Sequence, residues 1–207
     1  MHEFTPRLWQ HFRYLANPER LNVFRAVCLA PEKAGLNVST TTRMVNLQQP
    51  ATSIYLRQLA SCGLLVARRD KRFLFYSIQN QPQPDGSDIL AQGLCRWFVE
   101  AAELRHDWGT TCPPAPFQSS IPAFANRLRV VILKCLSEGR AETAESVFRA
   151  TLIPETCCQY HLDLLVRHGM AIQLADLCYR FVSPAKDLVK LFTILSLAED
   201  PNLLRAI

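Results

Sequence analysis

The feature that most constrains this chain is an internal repeat. Ala16-Asn17-Pro18-Glu19-Arg20-Leu21 through Arg25 aligns without a gap on Ala125-Asn126-Arg127-Leu128-Arg129-Val130 through Lys134, an offset of 109 residues. Farther on, Leu56, Leu59 and Gly63 fall on Leu162, Leu165 and Gly169 at an offset of 106, so three residues have dropped from the intervening loop. Each copy then closes on an aromatic stretch, Phe73-Leu74-Phe75-Tyr76 and Cys178-Tyr179-Arg180-Phe181. Three matches in the same order divide the 207 residues into two units, 1–109 and 110–207.

Periodicity gives each unit the same element order. In the first, Leu21, Phe24, Ala26, Val27 and Cys28 form a mostly apolar helix stopped by Pro31 and Gly35. Ser39 is the expected N-cap of a second helix through Val45. Pro50 suits the first turn of a third helix, where an N–H has no intrahelical partner to lose. That helix buries Thr52, Leu56 and Leu59 and stops at Gly63. Leu64–Ala67 and Arg72–Ile78 read as two strands of a hairpin with its tip at Arg69-Asp70-Lys71. The second unit repeats this with helices at Asn126–Leu136, Glu142–Ala150 and Glu155–His168 and a hairpin around Ala175-Asp176. An amphipathic helix trails each unit, at Asp88–Arg105 and Ala185–Ala198. Thr110–Pro116 is a stiff linker, and Gln79–Gly86 a loop within the first unit. The expected fold is mainly α with small β-hairpin wings: two tandem winged helix-turn-helix domains.

Composition narrows the function classes. Apolar residues make up 49% of the chain and charged residues 20%, which excludes a disordered or low-complexity protein. The net charge of +5 permits a nucleic-acid partner without demanding one. No stretch approaches the roughly 18–20 apolar residues that span a bilayer, so no membrane association is expected. Met1–Arg7 lacks the layout of a secretory signal. The 8 Cys follow no disulfide-framework spacing, which places them as free thiols in a reducing compartment. There is no glycine-rich phosphate loop, no His-Glu-x-x-His and no nucleophile elbow, so a non-enzyme with no cofactor is expected.

Leu15–Leu21, with Leu47-Gln48-Gln49-Pro50-Ala51-Thr52-Ser53-Ile54-Tyr55-Leu56-Arg57-Gln58-Leu59 and Gly63-Leu64-Leu65, resembles the ArsR/SmtB family of bacterial winged-helix repressors. The resemblance spans residues 5 to 105 well and 117 to 200 in outline, where Tyr160-His161-Leu162 and Gly169-Met170 hold the pattern. It implies a cytoplasmic, nucleoid-associated homodimer that regulates transcription, its third helix in the major groove of double-stranded DNA and its wing on the flanking backbone.

The residues of the first unit suit that role. With Thr52, Leu56 and Leu59 inward, Gln49, Ser53, Ile54 and Arg57 share the opposite face, preceded by Gln48. Gln and Arg offer paired donors to base edges, Ser adapts, and Ile can touch a thymine methyl. Arg68, Arg69, Lys71 and Arg72, opposed by Asp70, make a phosphate clamp. In the second unit the matching helix positions are Glu155, Gln159, Tyr160 and Asp163, and the hairpin from Gln173 to Cys178 has no base before Arg180. Such a face repels phosphate, so the second unit has kept the fold and lost the reading head. One reading head per chain favours a homodimer on a palindromic site, with an intramolecular pseudo-dimer as the competing arrangement. The alternative function is a tandem winged-helix scaffold for protein partners, without DNA binding.

The family's metal-sensing patterns are missing. Its closely spaced thiolates would sit where this chain has Leu36-Asn37-Val38-Ser39, and its carboxylate–imidazole pairs on the last helix find Glu100, Glu103 and His106. Cys157 and Cys158 diverge by about 100° around their helix, so they read as one buried and one surface residue. Cys28, Cys62, Cys95 and Cys135 are expected in the core, and His161 as a structural histidine. No metal site is expected, and no effector is named by the sequence.

Overall fold

The computed structural model describes residues 8–30, 35–83, 86–104, 121–137, 139 and 143–182. The expected linker at 110–116, the trailing helix at 185–198 and His106 lie outside them. The architecture is mainly helical with a small antiparallel sheet. In the first half the elements are α1 (Leu8–Leu15), α2 (Pro18–Cys28), β1 (Leu36–Asn37), α3 (Val38–Val45), α4 (Gln49–Ser61), β2 (Leu65–Asp70), β3 (Phe73–Ile78) and α5 (Ser87–Leu104).

Local chemistry sets the boundaries. Asn17 caps α2 by accepting the Arg20 N–H at 2.8 Å, and Pro18 occupies the first turn. The cap of α3 is Asn37, which accepts the Thr40 N–H at 2.9 Å; the expected cap, Ser39, is the second residue of the helix and exposed. Helix α4 begins with Pro50 in its first turn and packs Thr52, Leu56 and Leu59 inward, each 0% exposed, as the 4–3 spacing predicts. Gly63 (φ +80°) ends it, its N–H bonding the Ala60 carbonyl while the Leu64 N–H bonds Leu59.

The sheet order is β1-β3-β2, all antiparallel. Register Leu65↔Ile78 through Asp70↔Phe73 leaves a two-residue turn, Lys71-Arg72. The tip is therefore one residue later than the polarity of Arg69-Asp70-Lys71 indicated, and Lys71 takes φ +52° to close it. Leu21, Phe24, Leu56, Leu59, Leu64, Leu65 and Tyr76 form the core with Leu94 and Phe98 of α5. Phe24 meets Phe98 edge-on at 6.3 Å. Gly35 sits where a Cβ would come within 2.5 Å of the Tyr76 carbonyl oxygen, so β1 can pair with β3 only without a side chain there.

In the second half α6 (Arg127–Ser137), α7 (Ala144–Thr151), α8 (Glu155–Arg167), β4 (Ala171–Gln173), a 3₁₀ turn (Ala175–Leu177) and β5 (Tyr179–Phe181) follow one another. Three helices followed by a two-stranded hairpin thus occur in each half. Matched positions also share detail. Asn46 and Leu152, 106 residues apart, both take left-handed conformations after the second helix (φ 52° and 61°). Asn17 and Asn126 both accept N–H groups of the following turn, and Arg20 and Arg129 each turn Nε back onto a carbonyl six residues earlier. Gly169 closes α8 as Gly63 closes α4, with Met170 N–H on the Leu165 carbonyl. Phe12 of α1 stacks on Phe124 at 5.3 Å, joining the two sequence halves at this point.

Candidate nucleic-acid interface

Burying Thr52, Leu56 and Leu59 turns the rest of α4 outward. Gln48, Gln49 and Arg57 are exposed, Ile54 is 45% exposed, and Ser53 is half-buried at the edge of the face. The Arg57 Nε–H donates to the Ser53 carbonyl at 3.3 Å, which steers the guanidinium along the helix surface and leaves its terminal N–H groups outward. Gln58, the next residue, turns away and accepts from Arg20.

The hairpin supplies the charge. Arg68, Arg69, Lys71 and Arg72 are all exposed, as expected. Register divides them: Arg69 pairs with Leu74 on the face that carries Leu65 and Tyr76, while Arg68 pairs with Phe75 on the other. Arg72 lies over the Phe73 ring at 5.1 Å, a cation–π contact at the tip. The exposed Ile54, Phe73 and Leu74 lie among these polar groups, giving the surface an apolar element that sequence polarity missed for Phe73 and Leu74.

The same positions in the second half are tied up. Gln159 and Asp163, which match Ser53 and Arg57, bond each other at 3.0 Å, and both bond the Tyr179 hydroxyl of β5. Burial and the Asp163 carboxylate keep the Tyr179 phenol protonated, its pKa pushed up. Glu155 is exposed and Tyr160 is 60% exposed. This surface is acidic and apolar where that of the first half is basic.

The thiols divide by depth. Cys28 and Cys158 are buried, whereas Cys62, Cys95 and Cys135 are half-buried at the core edge, shallower than expected. Burial pushes the Cys28 thiol well up, and the Cys95 thiol sits 3.7 Å from the Cys28 carbonyl oxygen. Cys157 is half-buried beside buried Cys158, near the expected division. His161 is 6% exposed; burial, with Arg129 nearby, lowers its pKa. Among the described residues no cluster of three metal-ligating side chains occurs, and no helix is long and apolar enough to cross a membrane.

Comparison with known proteins gives a match to a protein of Streptomyces lividans named "Probable mercury resistance operon repressor", 31% identical over 93 residues, covering 45% of this chain and 69% of the relative. The chain belongs to the family of that repressor. No protein-family profile matches the chain, and no solved structure does.

Proposed function

We propose that this protein is a sequence-specific DNA-binding transcriptional repressor of ArsR type, with residues 1–109 as a winged helix-turn-helix reading head. Gln48, Gln49, Ser53, Ile54 and Arg57 of α4 meet base edges in the major groove. Arg68, Arg69, Lys71 and Arg72 grip the flanking phosphates. The observation that carries the reading is the outward, hydrogen-bonding face of α4 standing beside an exposed cationic hairpin. Membership in a family with a named repressor supports it.

Residues 110–207 are a divergent second winged helix-turn-helix. The shared caps, left-handed turns and folded-back arginines of the two halves support common ancestry of their folds. The Gln159–Asp163–Tyr179 network speaks against base reading there, because side chains bonded to their own fold have fewer donors for DNA. With one head per chain, a homodimer places two heads on a palindrome.

The test compares two charge-removal variants on duplex DNA. Replacing Arg68, Arg69, Lys71 and Arg72 by Ala abolishes binding at moderate salt, while replacing exposed Arg149 and Arg180 leaves it within twofold. Equal losses from both variants would mean that both halves touch DNA.

A further inference from the structure

The first half carries a polar cleft that the reading surface does not use. Among the described residues it is lined by Gln10, Arg13 and Tyr14 of α1 and Arg20 of α2, with a volume of about 380 Å³. That is the size range of pockets for small organic molecules. Gln10 and Tyr14 also wall an adjoining, larger hollow that reaches His11, Gln79 and Ser87, three buried polar residues.

Two guanidinium groups face this cleft and no carboxylate among the described lining residues answers them. Arg20 is the informative one. Its Nε donates to the Tyr14 carbonyl and its Nη1 to Gln58 Oε1, and its face lies 5.2 Å from the Tyr14 ring and 5.9 Å from the Tyr55 ring. Its counterpart Arg129 spends both Nε and Nη2 on backbone carbonyls, of Ala123 and Pro122. Arg20 instead keeps Nη2 without a protein partner among the described residues. The nearest acid in sequence, Glu19, accepts the Tyr55 hydroxyl at 2.5 Å. Partial burial depresses the Arg20 pKa, a cost that an anionic ligand offsets.

We propose that this cleft binds a small organic carboxylate, held by the Arg13 and Arg20 guanidiniums, and that occupancy is transmitted to α4 through the Arg20–Gln58 hydrogen bond and the Arg20–Tyr55 stack. A planar carboxylate matches the guanidinium fork, and competition for its donors loosens Gln58 and Tyr55, one turn apart on the inner flank of the proposed reading helix. The site stands on the cleft itself; the transmission rests on the DNA-binding reading.

Calorimetric titration of the full chain without DNA tests the site, using benzoate, its neutral isostere benzamide, and inorganic phosphate. Saturable benzoate binding is expected, with benzamide and phosphate at least about tenfold weaker and Arg13→Gln weakening benzoate about tenfold. Arg20→Gln weakens it further; should that variant fail to fold, exposed Arg13→Gln still decides. Equal binding of benzoate and benzamide, or an unaffected Arg13→Gln, overturns the site. Phosphate binding as tightly as benzoate overturns the carboxylate assignment. Benzoate that binds yet leaves duplex affinity unchanged overturns the transmission, and a chain that binds benzoate but no duplex refutes the DNA reading instead.

Discussion

Replacing Arg57 by Ala separates base reading from charge attraction. The side chain is exposed, and its single bond within the described residues is to the Ser53 carbonyl of its own helix. Ala is the best helix former, so folding stability should move by no more than about 0.5 kcal/mol. A bidentate contact to a base edge is worth about 1–3 kcal/mol of discrimination. A two-headed complex on a palindrome contains two such arginines, so the loss on a preferred duplex is about 2–6 kcal/mol, or at least about thirtyfold. Fluorescence anisotropy with a duplex selected from a random pool, and with single-base variants of it, reads this directly. The variant should lose discrimination at one base step per half-site while keeping most of its affinity for unrelated duplex. The slope of log affinity against log salt should change by no more than about one unit per arginine, since base contacts release few counterions. A uniform loss on every duplex would instead make Arg57 one more phosphate contact and rule out base reading by it.

Other outcomes follow from packing and titration. Gly63→Ala should cost more stability than Gly169→Ala: both strain a positive φ by about 1–2 kcal/mol, but a Cβ at 63 also meets Ser87 Oγ at 2.7 Å while one at 169 meets nothing within 4 Å. Thermal melts of the two variants check the order. Tyr179→Phe should lower stability by about 1–3 kcal/mol, since it strips a bond from half-buried Asp163, and leave duplex affinity unchanged. His161 has a folded pKa below its unfolded value because burial penalises the imidazolium. The unfolded chain therefore binds more protons as pH falls through about 6.5, and the stability this residue contributes is present above that pH and lost below it. His161→Gln should flatten that part of the denaturant-midpoint profile between pH 7 and 5.

Much of the proposed reading surface is legible from spacing. Thr52, Leu56 and Leu59 define an inward stripe, and Gly63 and Pro50 mark the ends of α4, because these constraints are local. What escapes is set by tertiary contact. Helix α1 precedes the stretch where the repeat matches, yet Phe12 is fully buried against Phe124. β1 is two residues long, too short for an alternation pattern, and exists by pairing with β3. The choice of Asn37 over Ser39 as a cap turns on that same strand, which leaves Asn37 extended where its side chain can reach back. The hairpin turn lacks the Gly or Asn that usually marks a positive φ, so Lys71 gave no warning. The cleft's tie to α4 is long-range: Arg20 bonds Gln58 across 38 residues, and no spacing rule brings the two together.

Titrating the wild-type chain with random-sequence duplex over a range of salt decides whether the first half presents a cationic surface to DNA. Tight binding at low salt and a steep linear loss are expected, with a slope that falls by about 0.9 for each phosphate contact removed when the four hairpin cations become Ala. No binding at low salt, or an affinity indifferent to salt, would contradict DNA binding by that surface.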